Sequence, residues 1–233
     1  MKRHQWPKII PPLTAEQEAI SHDFMQVWLQ TLQKKYGLIE NFNHGYPARH
    51  AVIPPGCRTL EIGAGIGGHL HYENLKIQDY YCVDLRDNVV EELKRVFPQV
   101  KASVGDCQKR LEFPDKFFNR IVAIHILEHL PNLPLAITEM RRLLADDGTI
   151  DVVIPCDPGF LYSLARKISA ERLFRKRYGQ DYNWFISREH INSPDEIITL
   201  LREQFHITRS RYFPFIIPIK SFNLCFGMQL CKK

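Results

Sequence analysis

The sequence predicts an α/β fold: a doubly wound, mostly parallel sheet with helices on both faces and an antiparallel last strand. Three observations lead there. Short apolar runs alternate with helical stretches from residue 57 onward, a cluster of glycines follows the first run, and the last two runs are joined by a connection too short for a crossover. At 233 residues the chain makes one large domain, or one domain with an embellishment. Apolar residues make up 45% and charged residues 24%, which excludes a disordered chain and allows a sizeable core.

The elements follow in order. Over residues 13–36, Thr14 and Gln17 stand in capping-box spacing, and Ile20, Phe24, Val27, Trp28, Thr31 and Leu32 share one helical face that ends at Gly37. Residues 38–50 mix aromatic, His, Gly and Pro residues without period and read as a loop or lid. Residues 1–55 thus form an N-terminal helix and lid segment, and 56–233 the main domain. Strands are expected near 58–62, 79–84, 100–103, 119–125 and 149–154, with a helix over 134–145 that Pro134 starts and Gly148 helps to stop.

The alternation lapses after residue 155. Residues 159–178 form a basic amphipathic helix, an insertion in which Arg166, Lys167, Arg172, Arg175, Lys176 and Arg177 read as a solvated face. Phe160, Leu161, Leu164, Ile168 and Phe174 interleave with them, so a peripheral contact with a membrane surface, or a cap over a lipid-linked acceptor, is a second reading. Ser193, Pro194 and Glu196 then start a helix to about Glu203, and HITRSRYF and FNLCFGMQLC make the final antiparallel pair.

No apolar run reaches the ~18 to 20 residues that cross a bilayer, and no secretory pattern follows the basic start. Six separated cysteines without a C-x-x-C pair read as reduced thiols of a cytoplasmic protein, and no metal is expected. The net charge of +5 is too mild and dispersed for a nucleic-acid partner but compatible with an anionic acceptor.

The chemistry concentrates in LEIGAGIGGH, residues 60–69. Glycine there permits a tight turn and lets a ligand approach the backbone, as in Rossmann-like folds. Gly63, Gly65 and Gly68 satisfy the G-x-G-x-x-G of nicotinamide enzymes. Gly63, Gly65 and Gly67, preceded by Glu61, equally satisfy the E-x-G-x-G-x-G of S-adenosylmethionine sites. Asp84 closes the next strand, where a carboxylate can accept from both hydroxyls of a ribose, a group that both cofactors contain.

Downstream, Gly105-Asp106-Cys107 follows the third strand and His125-Ile126-Leu127-Glu128-His129-Leu130 the fourth, leading into EMRRLLADDGTIDVVIP. With these the chain resembles the class I S-adenosylmethionine-dependent methyltransferases, particularly the small-molecule group with LEHL after strand four and E-x-x-R-x-L-x-x-x-G before strand five. The resemblance implies S-adenosyl-L-methionine as cofactor. Gly63, Gly65 and Gly67, with Ala64, would line its methionine part, Asp84 and the adjoining Leu85 its ribose, and Asp106 and Cys107 its adenine. Glu61 would reach the amino group through water or backbone, and His125 would lie near the methyl. It also implies a lid, for which His44, Tyr46 and Arg49 are candidates. Phe118-Asn119 departs from the family's usual Phe-Asp, and no D-P-P-Y-like or N-P-P-Y-like sequence follows strand four, which argues against amide or base-amine acceptors in that style.

A hydroxyl acceptor would need a base, for which His125, Asp157 and His190 are the candidates; His129 reads as structural. The expected function is methyl transfer to a small molecule, such as a hydroxyl of a sugar or lipid-linked intermediate. The alternatives are an NAD(P)-dependent oxidoreductase and a non-catalytic protein that binds S-adenosylmethionine.

Overall fold

The computed structural model describes residues 6–35 and 37–233, without the side chains of 28–36. The basic start of the chain and the expected apolar contacts of Trp28, Thr31 and Leu32 therefore lie outside the described residues. In chain order the elements are α1 (Ala15–Lys35), α2 (Gly37–His50), β1 (Cys57–Ile62), β2 (Gln78–Asp84), α3 (Asp87–Val96), β3 (Lys101–Val104), β4 (Phe118–Ile124), α4 (Leu133–Leu143) and β5 (Leu144–Pro155). After these come α5 (Phe160–Arg166), a π-helical turn (Lys167–Glu171), α6 (Arg172–Tyr178), α7 (Asn183–Glu189), α8 (Pro194–Gln204), β6 (Phe205–Phe213) and β7 (Cys225–Lys232).

The strands form one sheet in the order β3-β2-β1-β4-β5-β7-β6. β1 to β5 pair in parallel, and β7 runs antiparallel between β5 and β6, so the doubly wound expectation holds and β7 is the reversed strand. The order reverses between β1 and β4, and in such sheets a ligand crevice opens at the carboxyl ends beside that point. Asn119, which stands where the resembled family has an acid, accepts the Arg58 N–H at 3.0 Å and so still ties the start of β4 to β1.

Three local expectations change. Residues 38–50 are helix, not loop: Ile39, Phe42, Asn43 and Tyr46 fall at i, i+3, i+4 and i+7, and this face packs on β4, β5 and β7. Pro47 is tolerated because burial of that face outweighs one lost helical bond. Gly227 of β7 permits the contact, since a Cβ there would lie 2.6 Å from the Tyr46 ring. The helix read over 134–145 ends at Leu143, and Gly148 lies inside β5 at a register shift, pressed against Asn119 O and Leu144. The expected insertion is helical over α5–α6 and is followed by α7, which the sequence reading lacked.

The capping boxes are both formed, Thr14 with Gln17 and Ser193 with Glu196. α1 docks on the insertion through Phe24, whose ring meets Phe174, Tyr182 and Phe185 edge-on. Among the described residues no helix is long and apolar enough to cross a membrane. All six cysteines are unpaired, and five of them are buried.

Beneath the carboxyl ends runs a line of buried ions. Arg120 of β4 donates to Asp151 of β5 and to Glu73, each at 2.8 Å, and Glu73 lies 2.8 Å from His69 Nε2. Burial raises the Glu73 pKa, but His69 and Arg120 outweigh it and hold the carboxyl down at about 2. Arg120→Met leaves Asp151 without its cation and Glu73 with His69 alone, and should cost about 3–5 kcal/mol in urea unfolding. A depressed carboxyl gives stability that is present above its unfolded pKa of 4.5 and is lost as pH falls toward about 2. Urea midpoints measured across that window should therefore fall with acid, and Glu73 contributes on the order of 3 kcal/mol of the total loss.

Candidate active site

The glycine turn after β1 is built from left-handed backbone. Gly63, Gly65 and Gly67 have φ of 68°, 53° and 82°, whereas Gly68 is right-handed with φ −55°. Gly63, Gly65 and Gly67 thus use glycine's backbone freedom, whereas Gly68 is there for close approach, a Cβ on it lying 3.0 Å from the His44 ring. The Gly63 N–H donates to Val83 O at 2.7 Å, and a Cβ on Gly63 would lie 2.8 Å from Ile126, so the loop after β4 presses on the turn. A Cβ on Gly65 would meet nothing within 4 Å: the turn faces open space there. Ala64 is buried below, with Leu70, Leu93 and Phe97.

Asp84 accepts the Gly65 N–H at 3.1 Å and the Arg86 N–H at 3.0 Å. The Arg86 guanidinium then closes over both carboxylate oxygens, at 3.0 and 3.1 Å. Burial raises the Asp84 pKa, but the Arg86 hydrogen bonds prevail and hold it below the usual carboxylate range. Leu85 beside it is 67% exposed. One oxygen of Asp106 accepts from both Gln108 nitrogens at 3.0 Å, and the other has Lys109 at 3.6 Å. Burial pushes the Cys107 thiol up to about 12, so that side chain packs rather than reacts.

The remaining candidates separate. Glu61 lies under the turn, 3% exposed, accepting from Tyr80 OH at 3.0 Å; burial drives its pKa up and His69 opposes that. His44 reaches the turn: its ring would lie 3.0 Å from a Cβ on Gly68, its carbonyl accepts from His69 Nδ1 at 2.7 Å, and its own Nδ1 is buried without a partner. Tyr46 does not reach it, being packed with Val122, Val153 and Cys225. Arg49 is exposed and turns back to the Asn41 carbonyl at 3.3 Å.

Across the crevice, the ends of β4 and β5 meet α5 and α7 in one polar cluster. His125, at φ 48°, places Nδ1 3.1 Å from Glu128 Oε1 and Nε2 3.9 Å from the Cys225 thiol. Burial raises the Glu128 pKa, but His125 and the neighbouring imidazoles overcome it and leave the carboxyl at about 2. His129 lies between Glu128 at 3.8 Å and Glu189 at 3.4 Å, and burial pushes its pKa down. His190 closes α7 and sets Nδ1 2.8 Å from Asp157 Oδ2. Arg166 holds both Asp157 oxygens at 2.7 Å, so this member of the basic run turns inward rather than to solvent. Arg175 and Arg177 are matched by Glu171, Asp181 and Asp23.

His125, Asp157 and His190 thus share one network. Its other members, Glu128, His129 and Arg166, were missed as functional groups; the LEHL motif was the only signal, and it marked a family rather than a role.

Residues 60–152 match the family model described as a methyltransferase domain. The likeness to methyltransferases rests on that segment of the chain. A sterol 24-C-methyltransferase of Gibberella zeae is 30% identical over 116 residues, 46% of this chain and 30% of that one. A phosphoethanolamine N-methyltransferase of Arabidopsis thaliana is 28% identical over 110 residues, 45% of this chain and 22% of that one. The chain therefore covers a third or less of the length of these curated relatives. A TehB-like methyltransferase from Corynebacterium glutamicum shares the fold, with a TM-score of 0.63 at 16% identity over 93% of this chain and 100% of that one.

That likeness implies S-adenosylmethionine as cofactor, and the residues fit it. The open space over Gly65 would take the amino-acid part, Asp84 and Asp106 would offer acceptors, Leu85 an apolar edge, and His44 Nδ1 a buried group still lacking a partner. A ribose diol on Asp84 would have to displace the Arg86 guanidinium, which is half exposed. Such ion pairs are worth about 0–1 kcal/mol, so Arg86→Ala should tighten S-adenosylhomocysteine binding by up to about fivefold in calorimetry, and Asp84→Asn should weaken it at least about tenfold.

Proposed function

We propose that the chain transfers a methyl group from S-adenosylmethionine to a hydroxyl oxygen of a small amphiphilic molecule, with His125 as proton acceptor. One observation carries the reading. His125 stands at the carboxyl end of β4 in strained left-handed backbone, its Nδ1 fixed on the buried, ionised Glu128. A neutral imidazole anchored on one nitrogen by a carboxylate offers the other as a base.

S-adenosylmethionine supplies a methyl carbon already activated by its positive sulfur. The chain has to place an acceptor, exclude water and, for a hydroxyl, remove a proton; placement can supply about 7–11 kcal/mol in favourable cases. His125 takes the acceptor's proton as the carbon–oxygen bond forms and the carbon–sulfur bond breaks, the electron pair staying on sulfur. Glu128 steadies the charge that His125 gains. The sulfur contact of Cys225 is weak enough to yield to a hydroxyl. The facing wall, where Arg166 and His190 hold Asp157, borders a cavity of about 260 Å³ lined also by Ile186 and Ser187, and would take the acceptor's polar end.

The acceptor's apolar part is argued from the rim. Phe160, Leu164 and Ile168 stand one turn apart on α5 and the π-helical turn, exposed to 66%, 45% and 69%. α5 packs on the Lys220–Phe222 turn, whose segment exposes Phe215, Ile216, Ile217 and Ile219. Solvent-facing apolar surface of this extent fits a lipid-like substrate, or a lipid surface that delivers it, better than a free sugar. Because Arg175 and Arg177 are already paired, this side chain set rather than their charge would make the contact. The unpaired cysteines fit the cytoplasm as the working compartment.

Purified protein, methyl-labelled cofactor and a cell extract split into lipid and aqueous fractions test the reading: label should enter the lipid fraction. Label only in the aqueous fraction rejects the amphiphile, and none in either rejects transfer. His125→Ala should lower turnover by about 10² to 10⁴-fold while S-adenosylhomocysteine affinity stays within about threefold. Unchanged turnover would remove His125 as the base.

A further inference from the structure

We propose that Glu128, His129 and His190 bind one divalent cation of the zinc type. One ligand atom from each lies within 4.8 Å of the other two. Sequence spacing hides the set, because His190 comes from the end of α7, far along the chain from the LEHL motif. The backbone brings the pieces together firmly: the N–H groups of Ile191 and Asn192 both donate to Glu128 O at 3.0 Å. The Asn192 side chain adds bonds to Leu127 O and Leu130 O at 2.8 Å.

Three features make this a cation site rather than a chance cluster. Glu128 Oε2 is buried without a hydrogen-bond partner, on a residue 1% exposed. A buried carboxylate oxygen with no donor is costly, and a cation satisfies it. Each histidine also has a carboxylate on its Nδ1: Asp157 at 2.8 Å for His190 and Glu189 at 3.4 Å for His129. That outer contact fixes the tautomer and leaves Nε2 as the ligating nitrogen, as around protein-bound zinc. Finally, two imidazoles and one carboxylate suit zinc or cobalt rather than calcium or magnesium, which take all-oxygen sets.

Three protein ligands leave a coordination position open, the pattern of reactive rather than structural zinc. A cation there faces the acceptor side of the crevice. It would polarise an acceptor hydroxyl, so that His125, whose Nδ1 is held on Glu128 Oε1, removes a more acidic proton. That use rests on the methyl-transfer reading above; occupancy of the site does not.

The test is therefore binding without cofactor or acceptor. Chelator-treated protein is titrated with Zn²⁺ by calorimetry and with Co²⁺ by visible absorption. One equivalent per chain and cobalt d–d bands are expected. His129→Ala and His190→Ala should each weaken Zn²⁺ binding at least about 100-fold, and Asp157→Asn about 10–100-fold, with far-UV circular dichroism unchanged. If the native chain binds no stoichiometric Zn²⁺ at micromolar concentration, or the double variant His129→Ala with His190→Ala binds it as well as native, the site is refuted. Methyl transfer that persists in fully chelated protein would keep the transferase reading and reject the catalytic use of the cation.

Discussion

The ion line from Asp151 through Arg120 and Glu73 to His69 holds the crevice in shape. Its members come from three places: Asp151 from β5, Arg120 from β4, and Glu73 with His69 from the 3₁₀ turn His69–Tyr72 and its cap. His69 extends the line to the His44 carbonyl, so α2 is tied to the same charges. Arg120 and the side chains of Glu73 and Asp151 are almost fully excluded from solvent. The attraction is correspondingly strong, and loss of Arg120 leaves Asp151 buried without a cation. Apolar residues would have packed the same volume, but they would not have fixed the turn, two strands and α2 in one register.

Several elements were readable because local chemistry and burial agreed. Thr14 with Gln17 and Ser193 with Glu196 form boxes that need only their own turns. β1, β2 and β4 are nearly continuous buried runs, as a sheet covered on both faces demands. α2 was opaque because Gly45 and Pro47 look like breakers, while the burial of Phe42 and Tyr46 that overrides them depends on β7, almost the whole chain away. The glycine turn was equally legible, since Gly63, Gly65 and Gly67 take the left-handed backbone that glycine favours and Asp84 ends its strand beside them. Arg86 was not, because nothing in a sequence shows which way a long cation folds.

The acceptor half was hidden for a different reason: its polar groups come from four segments that meet only in the fold. Arg166 sits in a basic run whose other members are exposed, yet it turns onto Asp157 because α5 begins directly after β5 and crosses its end. That pairing leaves the apolar residues on the outer face of α5 while the charge points in. The insertion is thus amphipathic in place, with Arg166 turned onto Asp157 and Phe160, Leu164 and Ile168 facing solvent.

The two halves also meet at Arg86. Its guanidinium caps Asp84, and the charge of Glu189, at the end of α7, acts on it as well. Glu189 in turn lies 3.4 Å from His129. Arg86 thus stands in the field of carboxylates from both sides of the crevice, paired with Asp84 and influenced by Glu189. A rigid platform of buried ions beneath, and one exposed cation above that has two carboxylates to choose between, is the division of labour this fold imposes on its crevice.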